Sequence, residues 1–513
     1  MEADLILAAG AVYPLGRQRL RRHSHLAVGG GRVLAVGGRE VMGLRGRGTQ
    51  VIQLRGAAVL PGFNDAHAHV VYFGLTRFAA RLLGATSIIE IQDRLRSFAR
   101  TLGPDEWLQG LGYTVAELAE ARPPHRRDLD GATGRRPAFI DERGGHTRVA
   151  NSAALRRARI TSRTPDPKGG RIGRDPDGKP NGLLLESAMR LVADVQPPPS
   201  LERRQRGILL CQRLLLSRGV TSVGAAVNRG FADDLRAYQR LAESGQLRMR
   251  VNQFLSWELL EAARGLNLRS ASGGPLLRAG PIKVFVDGGA GPGTVALRSG
   301  RGLWRTPPKE LQELVARASE AGLQVAAHAV GDAAIEAFLD AVEAAAAPDL
   351  RHRIEHCTAC PPDLRRRAAR LGVVAVMQPL FALYGRQRLG DRFGSRLRRH
   401  LAAHRALREA GVQLAFSSDL PVVTDPNPWD GLAAAVLDRE QGLTRWQALR
   451  AYTWGGAYSS FEEDEKGALE PGQLADFQIL AEDPLGLRVK AWTGLRPQLV
   501  AVGGVPVYRA PSS

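Results

Sequence analysis

The chain is poor in cysteine, lysine and aromatic residues, and it has no long apolar run. Three cysteines among 513 residues cannot cross-link a protein of this size, so we expect a reducing compartment. No apolar stretch approaches the roughly 18–20 residues that a membrane span needs. The segment Met1–Leu7 carries acidic residues where a secretory signal would carry basic ones. These absences predict a cytoplasmic protein without a membrane partner.

The scarcity of lysine is matched by an abundance of arginine. Only six of the 71 basic residues are lysines, and the formal net charge is +20. Such an excess raises the hypothesis of a polyanionic partner. The arginines are spread over the whole chain, however, without interleaved aromatic residues and without a nucleic-acid-binding motif. We therefore expect no nucleic-acid partner.

Two of the cysteines form a C-x-x-C motif, Cys357 and Cys360. A structural zinc site would require a second such pair, which Cys211 alone does not supply. The sequence favours an incidental pair of thiols.

Two histidines one residue apart, His67 and His69, follow a short apolar run at 57–60. On an extended strand, residues i and i+2 face the same side, so the two imidazoles converge. Two neutral imidazoles make half of a site for zinc or a similar divalent ion. Histidines also pair on solvated strand faces, so the rest of the chain must decide between the two interpretations.

The order of strand and helix patterns predicts an α/β protein. Short apolar strands broken by glycines occupy both chain ends, which predicts a small β-sandwich domain built from residues 1–56 and 465–513. Between them, strand and helix patterns alternate, as in a (β/α)8 TIM-like barrel over residues 57–464. The predicted barrel strands are 57–63, 219–224, 248–254, 281–287, 323–328, 351–357, 372–378 and 412–418.

The connection after the first barrel strand, at about 70–215, is too long for a simple loop. It contains a strand-like segment at 137–141 and a polar stretch rich in proline and glycine at 161–180. Connections of this length are rare unless they are structured or functional, so we expect an inserted subdomain.

Several polar residues lie within the apolar runs of the predicted barrel strands or directly at the ends of these strands. Barrel active sites are built at the C-terminal ends of several strands, and single residues there have ordinary structural roles as well. Independent structural roles at so many strand ends are less probable than one shared site, so the pattern favours a metal site. Its candidate residues are His67, His69, Lys283, His328, His356 and Asp419.

The chain resembles the amidohydrolase superfamily, and within it the amidohydrolase 3 or YtcJ-like branch, which includes N-substituted formamide deformylase. The resemblance covers nearly the whole chain. It is carried by the motifs at 61–69 (PGFNDAHAH), 146–155 (HTRVANSAAL), 219–223 (GVTSV), 283–288 (KVFVDG), 328–332 (HAVGD) and 467–476 (GALEPGQLAD).

The resemblance implies a hydrolase that cleaves a carbon–nitrogen bond in an amide, an N-substituted formamide or a cyclic amide. It implies that His67 and His69 hold one divalent metal ion, usually zinc, and that His328 and His356 hold a second. Lys283 is implied to be carbamylated by CO2 and to bridge the pair. Asp419 is implied to act as the general base toward the attacking water and to contribute to the metal site. A homodimer is compatible with the family.

The chain departs from the branch at three places on the substrate side. Gly144 replaces the usual aspartate before Gly145 and His146, and Arg148 stands where the branch has an aromatic residue. After Asp287-Gly288 the usual Ser-Leu-Gly-Ser-Arg is replaced by the glycine-rich segment 289–293. The metal-ligand motifs are kept, so the departures bear on the substrate class. We expect His146 to contact the substrate or its developing oxyanion; the alternative is that it only orients its loop.

Two other functions remain open at this stage. A mononuclear deaminase of the same superfamily would carry a proton-shuttling glutamate just after the histidine of strand 5, but residues 329–331 are Ala-Val-Gly. A non-catalytic scaffold would be expected to have lost metal ligands, whereas this chain has all six.

Overall fold

A computed structural model describes residues 2–16, 21–227, 232–383 and 392–511. Its centre is a sheet of eight parallel strands, each paired with the next along the chain. The strands are Phe63–Ala68, Val220–Ala225, Arg250–Ser256, Leu277–Phe285, Val325–Ala329, Arg353–His356, Val374–Met377 and Gln413–Phe416.

The segments that follow the first and last strands bring the sheet nearly to closure. The Asp419 amide donates to the His67 carbonyl, and the His69 amide donates to the Leu420 carbonyl, both at 2.8 Å. The predicted TIM-like barrel is therefore confirmed. This closure also fixes Asp419 beside His67 and His69 at the end of the first strand.

Helices connect the strands and pack around them. Helix Asp332–Ala345 buries Ala334, Ile335, Phe338 and Val342, which are spaced as one apolar helix face. The α-helices associated with the barrel are Val70–Thr76, Leu201–Leu216, Ala232–Glu243, Leu260–Gly265, Pro308–Glu320, Asp332–Ala345, Pro362–Arg370, Pro379–Leu383, Ser395–Arg398, His404–Glu409, Pro428–Leu437, Arg445–Tyr452 and Trp454–Tyr458. Short 3-10 helices are Arg39–Leu44, Val115–Glu117, Ser187–Met189, Trp257–Leu259, Pro348–Leu350 and Val489–Trp492.

The first predicted barrel strand, 57–63, is wrong. Its apolar run belongs to the long strand Arg45–Pro61, where Ala58 and Val59 pair with Ala11 and Val12 and also with strand Phe477–Leu480. The barrel strand begins after Gly62, where a Cβ atom would lie 2.2 Å from the Thr221 hydroxyl. An apolar run is equally compatible with a strand of either sheet, so the local sequence pattern could not show where the terminal-sheet strand ends and the barrel strand begins.

Strands from both chain ends form one seven-stranded sheet. Its order is Val505–Arg509, Leu499–Val502, Phe477–Leu480, Arg45–Pro61, Ala3–Val12, His23–Gly29 and Arg32–Gly37. A two-sheet sandwich at the termini remains a prediction. Arg250 at the start of a barrel strand makes a buried, bidentate ion pair with Asp476, at 2.6 and 2.8 Å, and so ties this sheet to the barrel.

The long connection after the first barrel strand carries its own six-stranded sheet. The strands, in spatial order, are Gly170–Arg174, Pro180–Glu186, Thr147–Ala150, Ala138–Glu142, Leu108–Tyr113 and Ala80–Arg81. Its α-helices are Ile88–Ala99, Arg126–Thr133, Ser152–Arg157 and Arg190–Ala193. It also has buried apolar clusters of its own, which agrees with an inserted subdomain.

The described helices include none that is both long enough and apolar enough to cross a membrane. The three cysteines are free and buried. Burial of Cys357 and Cys360 agrees with a thiol pair that is packed rather than reactive.

Candidate metal centre

His67 in the first barrel strand, His69 directly after that strand and Asp419 converge at the C-terminal mouth of the barrel. The Nε2 atoms of His67 and His69 are 3.4 Å apart, and Asp419 Oδ1 lies 3.5 and 3.4 Å from them. All three residues are at least nine-tenths buried. Three side chains therefore aim one potential ligand atom each at a common point.

Asp419 is held as an anion at this point. Burial alone would raise the pKa of its carboxyl, but the contact with His69 and the neighbouring His356 and His67 outweigh burial and bring the pKa well below its usual range. Asp419 Oδ1 has no hydrogen-bond donor within the described part of the chain. A buried, ionised oxygen without a donor, facing two imidazoles, is what a cation would neutralise.

A charged pair that the sequence reasoning missed fixes His67. Glu355 Oε2 lies 2.5 Å from His67 Nδ1, while Arg353 holds the same carboxylate at 2.8 and 3.2 Å. Arg353 also donates to the Ala66 carbonyl at 2.8 Å. A carboxylate at Nδ1 keeps the ring proton there and leaves the Nε2 lone pair for a metal.

The signal for this pair was present in the sequence. Arg353 and Glu355 are charged residues inside a strand whose four residues are all buried. Their function is not visible locally, because Glu355 and His67 are 288 residues apart along the chain.

His328 and His356 complete the group of imidazoles. Their ring centroids are 4.6 Å apart, and His356 lies 5.4 Å from His67. Gln378 Oε1 is 2.8 Å from His356 Nδ1, and Gln378 in turn donates to Ser417 at 2.9 Å. Burial is the main cause that lowers the pKa of both His328 and His356, so these rings are held neutral, the state in which imidazole binds a metal.

Lys283 lies inside the same group. Its Nζ is 3.4 Å from His67 Nε2, and the residue is 2% exposed. Burial lowers the pKa of the amine from 10.5 to about 8, against the opposing charges of Glu355 and Asp419. The structure therefore brings the predicted lysine to the predicted histidines.

Two of these residues have strained backbones. His356 has φ 74° and Asp419 has φ 54°, a region that residues other than glycine rarely adopt. Strain of this kind persists only where the surrounding structure over-determines it, and it clusters at functional sites.

His146 comes from the inserted subdomain and closes one side of the group. Its ring centroid is 5.2 Å from that of His328, and its Nδ1 is 2.8 Å from Glu186 Oε2. The side chain of His146 is 15% exposed, while that of Glu186 is fully buried. All seven predicted site residues thus lie in one neighbourhood.

The donor set fits a divalent metal of the zinc type. Imidazole nitrogens and carboxylate oxygens are zinc ligands, and one ligand atom from each of His67, His69 and Asp419 lies within 4.8 Å of the others. Lys283, whose pKa burial lowers to about 8, and the imidazoles of His328 and His356 stand beside them.

Comparison with known proteins identifies the family. Residues 50–508 match the amidohydrolase family. The chain belongs to this family. The match spans all three sheets except the first strands of the terminal one, so it includes every residue of the site described above.

Three relatives of this amidohydrolase cover most of its length. It is 29% identical to the putative amidohydrolase YtcJ of Bacillus subtilis over 88% of this chain and 89% of the relative. It is 30% identical to N-substituted formamide deformylase of Arthrobacter pascens over 89% of each. A crystal structure of an uncharacterized metal-dependent hydrolase from Pyrococcus horikoshii superposes with a TM-score of 0.78 at 28% identity, covering 95% of this chain and 99% of that one.

The places where this amidohydrolase departs from its branch have different structural consequences. Arg148 makes a buried bidentate pair with Asp141, at 2.7 and 2.8 Å, and stacks on Phe139 at 3.7 Å, so its guanidinium is committed inside the inserted sheet. Gly289 packs directly against His146, where a Cβ atom would lie 2.5 Å from the ring. The departure at segment 289–293 therefore touches the site, and the departure at Arg148 does not.

Proposed function

We propose that this amidohydrolase is a metal-dependent hydrolase that cleaves a carbon–nitrogen bond in an amide, an N-substituted formamide or a cyclic amide. The observation that carries the proposal is the convergence of the His67 and His69 Nε2 atoms with Asp419 Oδ1, within 3.5 Å of one another at the barrel mouth. The name of the Arthrobacter relative supports the choice of bond.

His67 and His69 would hold one divalent ion, most suitably zinc, with Asp419 beside it. His328 and His356 would hold a second. When bound, such an ion lowers the pKa of a water molecule and polarises a carbonyl oxygen. The protein contributes neutral imidazoles, of which His67 is fixed by Glu355 and His356 by Gln378.

Lys283 would carry a carbamate and bridge the two positions. The neutral amine adds to the carbon of CO2 and releases a proton, which leaves an anionic carboxylate on Nζ. Burial supports this step, because it lowers the pKa of Lys283 to about 8 and so makes the neutral amine accessible near neutral pH.

Asp419 would act as the general base. As an anion at the common point of the site, it takes a proton from the attacking water and returns it to the leaving nitrogen. His146 would contact the substrate through Nε2, which accepts from the amide N–H because Nδ1 carries the ring proton toward Glu186.

The alternative of a mononuclear deaminase is less well supported. The segment after His328 is a buried turn in which the amides of Val330 and Gly331 donate to Asp287, at 3.1 and 2.9 Å. Residues 329–331 have no ionisable side chain, so the glutamate that a deaminase would need to move a proton is missing here.

The proposal is tested by a hydrolysis screen over N-formyl and N-acyl amines and cyclic amides, with metal content measured on the same preparation. We expect turnover that stops on chelation and returns with zinc, and a loss of about 10²–10⁴-fold in Asp419→Ala. Glu310→Gln, which removes only an exposed pairing with Lys168, is the matched control. Chelator-insensitive hydrolysis by a metal-free protein would overturn the proposal.

The predicted division into a catalytic unit at 57–464 and a terminal unit at 1–56 and 465–513 stays a proposal, with its first boundary moved to Gly62 because residues 57–61 lie in the terminal sheet. A cytoplasmic location, a homodimer, and the absence of nucleic-acid and membrane partners remain predictions. Size-exclusion chromatography with light scattering would test the oligomeric state.

A further inference from the structure

Glu186 has an unusual position for a residue with no function yet assigned to it. It ends strand Pro180–Glu186 of the inserted sheet with φ 51°, a conformation that residues other than glycine rarely adopt. Its carboxylate is fully buried and faces the loop that follows barrel strand Leu277–Phe285. Both the backbone strain and the burial of a charge require compensation from its neighbours.

The two carboxylate oxygens of Glu186 have different partners. Oε1 accepts from the Gly289 amide at 3.0 Å and from the Thr294 hydroxyl at 2.5 Å. Oε2 accepts from His146 Nδ1 at 2.8 Å, with the Arg305 guanidinium 3.7 Å away. Burial would raise the pKa of Glu186, but His146 and Arg305 outweigh burial and lower it to about 2. The carboxylate is therefore ionised, and an ionised carboxylate only accepts, so the proton of the pair belongs to His146 Nδ1.

Gly289 is shaped to the same histidine. A Cβ atom there would lie 2.5 and 2.6 Å from Cδ2 and Cγ of His146, closer than side chains pack. At Gly288, a Cβ atom would lie 2.6 Å from Glu186 Oε1. The glycine pair thus leaves the volume that the His146–Glu186 pair fills.

We propose that Glu186, together with Gly289, is a positioning element that fixes the plane and the tautomer of His146, so that its Nε2 is the atom offered to the substrate. The inference rests on the proposed function, in which the Nε2 lone pair of His146 accepts from the amide N–H of the substrate. Nε2 has no hydrogen-bond partner among the residues that the structure describes, while Nδ1 is committed to Glu186. Glu186 itself does not contact the substrate and acts through His146.

The variant Glu186→Gln tests the tautomer directly. The Gly289 amide is a fixed donor, so the glutamine oxygen must take the position of Oε1 and its NH2 group must face His146 Nδ1. The ring would then carry its proton on Nε2 instead. Long-range proton–nitrogen NMR on protein with 15N-labelled histidine, with His146 assigned from His146→Ala, reads this change without any turnover.

We expect Nδ1 of His146 to be protonated in the wild type and unprotonated in Glu186→Gln. An unprotonated Nδ1 in the wild type, or an unchanged spectrum in the variant, would overturn the proposal. This measurement decides the point even if the hydrolysis screen finds no substrate, so failure of the proposed function is distinguishable from failure of the positioning role.

With an active substrate, a double-mutant cycle separates positioning from a general structural role. We expect Glu186→Gln to lower kcat by about 100-fold in the wild type, because a protonated Nε2 would oppose the substrate N–H, and by less than about 3-fold in a His146→Ala background. If the fold-losses in kcat of the two single variants multiply in the double variant, Glu186 acts independently of His146.

A second pair of variants leaves every charge in place. Gly289→Ala should displace His146 and lower kcat by at least about 10-fold with full metal content. Gly131→Ala, in helix Arg126–Thr133 at a position where a Cβ atom meets nothing within 4 Å, should leave kcat unchanged. Equal activity of the two alanine variants would refute the packing part of the proposal.

Discussion

The contact between Glu355 and His67 leads to a prediction about metal affinity. In Glu355→Gln both carboxylate oxygens are affected, because Arg353 donates to each of them and His67 Nδ1 faces Oε2. If the new NH2 group faces His67, the ring must move its proton to Nε2, the atom that would bind the metal. If the NH2 group faces Arg353 instead, it meets the guanidinium N–H, and two hydrogen-bond donors oppose each other in a buried site. Either arrangement weakens the site.

The magnitude follows from the geometry. A hydrogen bond to a charged group contributes about 1.5–3 kcal/mol, and the 2.5 Å contact is fully buried on both sides. The loss corresponds to about 10–150-fold, in line with the roughly 10–100-fold found when carboxylates behind metal-bound histidines are removed. Competition with a fluorescent zinc chelator measures the affinity, with Glu310→Gln as the control. A Glu355→Gln protein that is folded and binds zinc within about 3-fold of the wild type would refute the orienting role of Glu355.

Three further perturbations have defined outcomes. Arg148→Ala leaves the buried Asp141 carboxylate unpaired, so chemical denaturation should show a loss of about 3–5 kcal/mol in the free energy of unfolding. The folded variant should keep its kcat. An unchanged denaturation midpoint would show that the buried pair does not stabilise the protein. Asp476→Ala should cost a similar amount by leaving Arg250 uncompensated between the terminal sheet and the barrel, and equal stability would contradict that link. Because the pKa of Glu186 is lowered on folding, its ionisation stabilises the fold above the unfolded-state pKa of about 4.5, and this stabilisation is lost as pH falls toward 2. For the metal-free protein, the difference in the free energy of unfolding between wild type and Glu186→Gln should therefore narrow by about 3 kcal/mol over this range. A constant difference would argue against an ionised Glu186.

The sequence allowed the barrel and its metal-site candidates to be predicted because both depend on local patterns. Apolar runs at regular intervals mark seven of the eight barrel strands, and polar residues at their ends stand out against those runs. The exception, 57–63, failed because one continuous apolar segment serves two sheets that meet at Gly62.

The supporting contacts could not be predicted in the same way. Glu355 and His67 are 288 residues apart along the chain, and Glu186 and Thr294 are 108 apart. Contacts at such separations produce no periodic pattern in the sequence. The replacement at Arg148 reads as a substrate-side change in the sequence, yet its partner Asp141 lies on the neighbouring strand of the inserted sheet. Only the register of that sheet shows that the pair is internal.

The central claim is that the barrel mouth holds a divalent metal through His67 and His69. Inductively coupled plasma mass spectrometry on protein produced with zinc supplementation, compared with the His67→Ala/His69→Ala variant, tests it most directly. The account predicts one or two divalent ions per wild-type chain and a loss of at least one of them in a folded variant. A wild-type protein without bound divalent metal, or a folded variant with the same metal content, would contradict the account.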